Sequence, residues 1–207
     1  QQYLKKIEEK FGALEELQFQ NIGPSVGEEL RKKSLWAFGL VLLAISLYVA
    51  FAFRKVSRPV SSWKYGIITL VTLFHDALIP AGMFAMLGKL LNAEVDTNFV
   101  VAILVVMGFS VHDTIVVFDR IRENLRNQKD GQSSFENLVN QSVNETMSRS
   151  INTSLTLALT LIALYIWGPD TLKLFNLVIL VGTVVGTYSS IFVASPLLTL
   201  WQKSKKL

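Results

Sequence analysis

Five stretches of this sequence are nearly unbroken apolar runs, and the segments between them are polar. The runs cover residues 35–53, about 63–87, 99–118, about 151–167 and about 172–201. Their lengths lie near the ~20 residues that cross a hydrocarbon core of roughly 30 Å at 1.5 Å per residue. They are too long and too uniformly apolar for surface helices with one greasy stripe. The pattern predicts an all-α membrane protein with five transmembrane helices. Pro80, inside the second run, predicts a kink that neighbouring helices stabilise. Residues 1–34 read differently. A helix-like run from Tyr3 to Phe11 is followed by an alternating stretch from Leu14 to Ile22, and then by the turn signals of Gly23-Pro24-Ser25-Val26-Gly27. This segment is expected to be a short N-terminal external remnant, residues 35–201 the transmembrane domain, and residues 202–207 a cytoplasmic tail.

Composition sharpens the class. Charged residues make up 17% of the 207 and hydrophobic residues 51%, against roughly 25% charged in ordinary soluble proteins. Together with the five runs, this argues against a soluble enzyme. There is no cysteine and there are two histidines, which leaves neither disulfides nor a dedicated zinc site in prospect. No HExxH, Walker A or GxGxxG pattern occurs. Gly108-Phe-Ser110-Val111 begins like an intramembrane protease motif but lacks the second glycine. The expectation is a protein with no catalytic residues, no metal and no nucleic-acid partner.

Charge sets the orientation. Arg54, Lys55, Arg58 and Lys64 lie between the first two spans, Arg120, Arg122, Arg126, Lys129 and Arg149 between the third and fourth, and Lys203, Lys205 and Lys206 end the chain. The opposite loops hold only Lys89 and Lys173, with Glu94, Asp96 and Asp170. The basic side is the cytoplasmic one, although Arg31-Lys32-Lys33 pulls the other way. Residues 1–34 are then outside and the C-terminus is cytoplasmic. A polar N-terminal segment rarely crosses a membrane unaided, so the 207 residues are expected to be the C-terminal part of a longer chain.

The candidate chemistry lies inside the apolar runs. Both histidines sit there as His-Asp pairs, His75-Asp76 and His112-Asp113. A carboxylate at the centre of a membrane helix costs about 2.5–3.5 kcal/mol on insertion scales, so it is a functional candidate by default. Counting 1.5 Å per residue, Asp76 is roughly 17 Å from Tyr65 and near mid-bilayer, and Asp113 is roughly 21 Å from Phe99, toward the cytoplasmic third. Arg149 enters the fourth span at the depth of Asp113 and is a candidate ion-pair partner. Desolvation and a neighbouring cation pull on a carboxylate in opposite directions, as a gated proton acceptor requires. The structural alternatives are a static Asp113–Arg149 pair and histidines that merely satisfy neighbouring polar groups. In the last run Gly182-Thr-Val-Val-Gly186, continued by Ser190, fits the small-xxx-small pattern of close helix packing.

Several long motifs resemble one family. The run from Gly108 to Asn124, Gly-Phe-Ser-Val-His-Asp-Thr-Ile-Val-Val-Phe-Asp-Arg-Ile-Arg-Glu-Asn, resembles the fourth-span signature of the SecF family of bacterial protein-export subunits. Asn144-Glu-Thr-Met-Ser-Arg-Ser-Ile-Asn-Thr-Ser154 is similar to the start of its fifth span. Gly186-Thr-Tyr-Ser-Ser-Ile-Phe-Val-Ala-Ser-Pro-Leu198 is similar to its sixth, and Ile22-Gly-Pro-Ser-Val-Gly27 to the exit of its external domain. The resemblance implies that the five runs are spans two to six, with the first span and most of the external domain upstream. It implies half of a pseudo-symmetric body of the resistance–nodulation–division type in the bacterial cytoplasmic (inner) membrane. It further implies SecD and the SecYEG channel as partners, YajC and YidC as further contacts, and translocating preproteins as the substrate, drawn outward by the proton-motive force after the ATP-driven motor has acted. Protons are then the coupling ion and no cofactor is implied. The family's proton-pathway Asp and Arg match Asp113 and Arg149, with Asp76, His75 and His112 as further candidates. His112 departs from the family pattern, which often has Asn or a small polar residue there. Two other readings stay open: a small-solute proton antiporter of the same superfamily, and an assembly subunit whose buried charges only hold it to a partner.

Overall fold

The computed structural model describes residues 24–53, 60–91, 94–127 and 134–203. The segments at 3–11 and 14–22 lie outside these, as do residues 204–207 of the tail. By internal contacts the chain divides at 33/34 into two units. Of the first, residues 24–33 are the described part. They are helical, with an exposed Lys33–Glu29 ion pair of 2.6 Å one turn apart.

The second unit is a helical bundle. Its elements are α1 (Pro24–Ala52, from Ser34 onward in this unit), α2 (Ser62–Leu91), α3 (Thr97–Asn127), α4 (Phe135–Trp167), a 3₁₀ turn (Asp170–Leu172), α5 (Lys173–Ser189), a π-helical turn (Ser190–Ala194) and α6 (Ser195–Lys203). Among the described residues five helical segments are long and apolar enough to cross a membrane, the fifth running through the 3₁₀ turn, α5, the π turn and α6 from Asp170 to Gln202. No strand occurs among the described residues.

The helix ends follow from local chemistry. Asp96 accepts a hydrogen bond from the Phe99 amide (2.8 Å) at the start of α3. Ser134 does the same for Asn137 (3.3 Å) at the start of α4, each satisfying an amide that has no helical partner. α4 stops at Gly168-Pro169. A Cβ on Gly168 would stand 2.2 Å from the Leu164 carbonyl oxygen, and proline cannot continue the ladder.

Three boundaries differ from the sequence reading. The turn expected at Gly23–Gly27 is instead, from Pro24 on, the first turn of α1, where a missing N–H costs nothing. α3 runs on to Asn127, beyond the apolar run that ends at Phe118. α4 starts at Phe135, well before Ile151. Its 33 residues are about 50 Å long, so the polar first half stands clear of a ~30 Å hydrocarbon core. There Glu145 accepts from Asn124 (2.8 Å), Gln141 (2.8 Å) and Arg120 (2.6 Å). These bonds, with Asn124 first, hold its carboxyl well below the usual range. Arg120 also bonds Glu123 at 2.6 Å, so the extensions of α3 and α4 are tied together.

Packing places the last span at the centre. About 50% of its most apolar stretch is buried, against 17% for α4, and it packs on α2, α3 and α4. The outer faces are apolar: Leu40, Leu43 and Leu47 of α1, Leu78 and Met86 of α2, and Leu155, Leu159 and Ile166 of α4 are all exposed. That is the surface a protein shows to hydrocarbon or to another membrane protein, not to water. Inside there are two apolar clusters. One, toward the basic end, contains Phe53, Tyr65, Ile68, Phe118, Ile121, Val143 and Leu198. The other, toward the opposite end, contains Leu73, Phe84, Ile103, Met107, Leu161 and Ile179. Between them on α3 and on the last span lies a belt of buried Ser110, Asp113, Thr114, Thr183, Ser189 and Ser190, joined by Thr72 and Asp76 of α2.

Candidate functional site

The belt is assembled by close approach of the last span to α3. A Cβ on Gly182 would stand 2.2 Å from Val106 Cγ2, and one on Gly186 would stand 3.0 Å from Ser110 Cβ and 3.2 Å from its Cα. Val106 and Ser110 are one turn apart on α3, as the two glycines are on α5. The small-residue face thus rests on α3 and brings Ser189 and Ser190 against the carboxylates.

Asp76 is fully enclosed. Its Oδ2 accepts hydrogen bonds from Ser110 of α3 and from Ser189 (2.5 Å) at the end of α5. Its Oδ1 meets His75 Nδ1 at 2.8 Å. Three partners on three elements compensate a carboxylate that water does not reach. Pro80, four residues on, has no N–H to give the residue 76 carbonyl, so the helical ladder of α2 lapses beside the carboxylate, although α2 continues unbroken through it. His75 is part-exposed, with its ring 5.9 Å from that of Tyr188.

Asp113 is 6% exposed. Its Oδ2 accepts from Ser190, the first residue of the π turn, and its other oxygen takes no protein donor among the described residues. Ser110 and Asp113, three apart on α3, share a face, so one helix face serves both carboxylates. The hydroxyls continue outward: Thr187 of α5 and Ser154 of α4 are hydrogen-bonded to each other. Thr114, Ser150 and Thr183 add buried hydroxyls without a partner among the described residues.

The other predicted residues are placed elsewhere. Arg149 is exposed on α4 and makes no ion pair with Asp113; Asp113 is met by Ser190 instead. Arg149 borders a cleft of about 360 Å³ shared with Tyr48, Asp119 and Arg122, whose inner wall, Ile115 and Val116, lies within a turn of Asp113. Arg122 there bonds Asp119 (3.1 Å) and the Ala52 carbonyl (2.8 Å). His112 is exposed, because consecutive helical residues point about 100° apart. Sequence reasoning missed Ser110 and Ser189, and took Ser190 for a packing residue alone. It also counted Lys64 as a loop cation. Lys64 is buried and donates to the Trp201 carbonyl (3.1 Å), its ammonium 5.6 Å from the Trp201 ring centroid. This clamps the start of α2 to the end of the last span. Among the described residues no cluster of three or more His, Asp or Glu is arranged to hold a metal ion.

A family described as "Protein export membrane protein SecD/SecF, C-terminal" matches residues 2–204. The chain is 52% identical over 196 residues to the protein translocase subunit SecF of Thermobaculum terrenum, covering 95% of this chain and 60% of that one. It is 40% identical to SecF of Sebaldella termitidis, covering 98% and 62%, and 40% identical to the protein translocase subunit SecDF of Thermus thermophilus, covering 90% and 24%. The chain thus spans about three-fifths of the length of the SecF relatives. A crystal structure of SecDF in the super-membrane-facing form superposes with a TM-score of 0.77 at 36% identity, over 99% of this chain and 26% of that one.

Proposed function

The chain belongs to the SecD/SecF family of protein export membrane proteins, and on that premise we propose that its five spans carry the protons whose descent drives export of preproteins. In this reading it works beside SecD at the SecYEG channel, as a transport subunit and not an enzyme. It sits in the bacterial inner membrane with the C-terminal end of α3, the N-terminal end of α4 and the C-terminal end of the last span cytoplasmic. The observation that carries the proposal is the polar belt: two buried carboxylates, Asp76 and Asp113, held by hydroxyls of α3 and the last span between two apolar clusters.

The residues divide the work. Asp113 takes and releases the proton, with the Arg149 cleft as the aqueous mouth on the cytoplasmic side. Asp76, deeper and more fully bonded, is the second station, and His75 bridges it toward the edge of the bundle. The number of protons moved in each cycle matters. One proton falling through ~100 mV and one pH unit releases about 3.7 kcal/mol, short of the ~5.5 kcal/mol that turns a 1:99 conformational equilibrium into 99:1. Two protons release about 7.4 kcal/mol, which is sufficient. The alternative of an assembly subunit, with charges that merely grip a partner, is disfavoured because both carboxylates are buried inside this chain and take hydroxyl donors from it. The test is proton-gradient-dependent preprotein export by the full-length chain with its partner. Asp113→Asn and Asp76→Asn should each abolish the gradient-dependent step and leave membrane insertion intact; undiminished export in both variants rejects the proposal.

A further inference from the structure

The two carboxylates meet adjacent residues of one helix, and the backbone changes character there. Ser189 closes α5, and Ser190 opens a π-helical turn that ends one residue before Ser195-Pro196. Pro196 has no N–H for the carbonyl of residue 192 and would crowd it in a regular α-helix, so the widened turn has a local cause. The Ser195 hydroxyl bonds back to the Ser190 carbonyl at 3.1 Å. Turns of this kind recur at functional sites.

Each serine also has more acceptors than protons. Ser190 Oγ is within reach of Asp113 Oδ2 and of the Thr187 carbonyl, at 2.9 Å. Ser189 Oγ is 2.5 Å from Asp76 Oδ2 and 3.1 Å from the Gly186 carbonyl. A hydroxyl has one proton to donate and two lone pairs with which to accept.

We infer that Ser189 and Ser190 are positioning residues that turn the protonation states of Asp76 and Asp113 into a change of hydrogen bonding at the π-helical turn of the last span. With Asp113 ionised, Ser190 donates to the carboxylate, the stronger charge-assisted bond. When Asp113 takes a proton from water, its new O–H donates to Ser190 Oγ, and the proton of Ser190 turns to the Thr187 carbonyl. Release of the proton reverses both bonds. Ser189 does the same between Asp76 and the Gly186 carbonyl. Because the serines are neighbours on one backbone, the two carboxylates are read by one stretch of helix, the stretch already freed from α-helical geometry. The titratable and charged groups around it are His75 and Asp76 on α2, His112 and Asp113 on α3, Tyr188 on the last span, Tyr48 on α1, and Arg149, Asp119 and Arg122 at the cleft.

This inference rests on the proton-carrying reading above, and the experiment separates the two. The full-length chain with its partner is reconstituted in vesicles, and proton uptake is followed as a function of pH alongside the infrared carboxyl C=O band. Ser190→Ala removes a donor that favours the ionised form, so the midpoint of the pH profile should move to higher pH by about one unit, and the band should shift. Ser190→Thr, which restores the hydroxyl, should return both. Ser189→Ala should shift the profile and the band of the native chain, and Ser189→Thr should return both; in an Asp76→Asn background, where uptake is lost, Ser189→Ala should leave the remaining carboxyl band unmoved. A fall in rate with an unmoved pH profile and band would reduce the serines to packing and overturn the inference. If Asp113→Asn itself leaves uptake and its pH dependence intact, the proton-carrying reading fails instead. Should the alanine variants not fold, the threonine variants decide: a native profile supports the inference, and a shifted one overturns it.

Discussion

Gly182→Ala is a small perturbation with a large expected effect. The added methyl would stand 2.2, 2.5 and 2.9 Å from Cγ2, Cγ1 and Cβ of Val106, where carbon atoms prefer about 3.5–4.0 Å. Rotating the valine cannot relieve this, since its Cβ is itself too close, so α3 must move away from the last span. Over-packing of this kind costs about 1–3 kcal/mol. Between membrane helices no hydrophobic drive restores the contact, because lipid tails are as apolar as the side chains. Val106→Ala alone leaves a small void, at about 1–2 kcal/mol. In the double variant the void receives the new methyl, so the two costs should not add. The coupling should be about 1–2 kcal/mol in favour of the pair, measured by reversible unfolding in bicelles. Additivity to within about 0.5 kcal/mol would mean that the glycine face does not rest on Val106, and the placement of Ser110 one turn further on would lose its basis.

Three further outcomes follow from the same geometry. Ser110→Ala removes one of the two hydroxyls on Asp76 Oδ2, and should lower thermal stability by about 1–3 kcal/mol with the helical circular dichroism unchanged; an unaltered melting curve would count against that bond. Lys64→Met keeps the stem but leaves the Trp201 carbonyl without this donor, so hydrogen exchange at the end of the last span should accelerate roughly tenfold, and native-like protection would refute the clamp. Single cysteines test orientation: Glu94→Cys should react with an impermeant reagent from outside and Gln128→Cys should not, and the reverse pattern would invert the topology.

The spans were legible because apolar runs of membrane length admit few other readings. Helix ends were not, since Arg120, Glu123, Gln141 and Glu145 are polar yet good helix formers, and their mutual bonds carry α3 and α4 beyond the lipid. Asp76, Asp113 and His75 stood out as ionisable groups in apolar surroundings. The serines did not. Most hydroxyls in these helices bond back to their own backbone, as Ser46 does to the Leu42 carbonyl and Ser142 to that of Leu138. Nothing in the sequence marks Ser110, Ser189 or Ser190 as different until the glycine face fixes which residues meet. Arg149 illustrates the converse: depth along a helix can be counted from sequence, but the direction a side chain takes around the axis depends on packing.

The central claim is that protons pass by way of Asp76 and Asp113. The most direct test is proton flux into vesicles containing the full-length chain and its partner, followed by an internal pH dye under an imposed gradient, for the wild type and for Asp76→Asn and Asp113→Asn separately. Flux reduced to the protein-free leak in each variant is the predicted result; wild-type flux in both would contradict it.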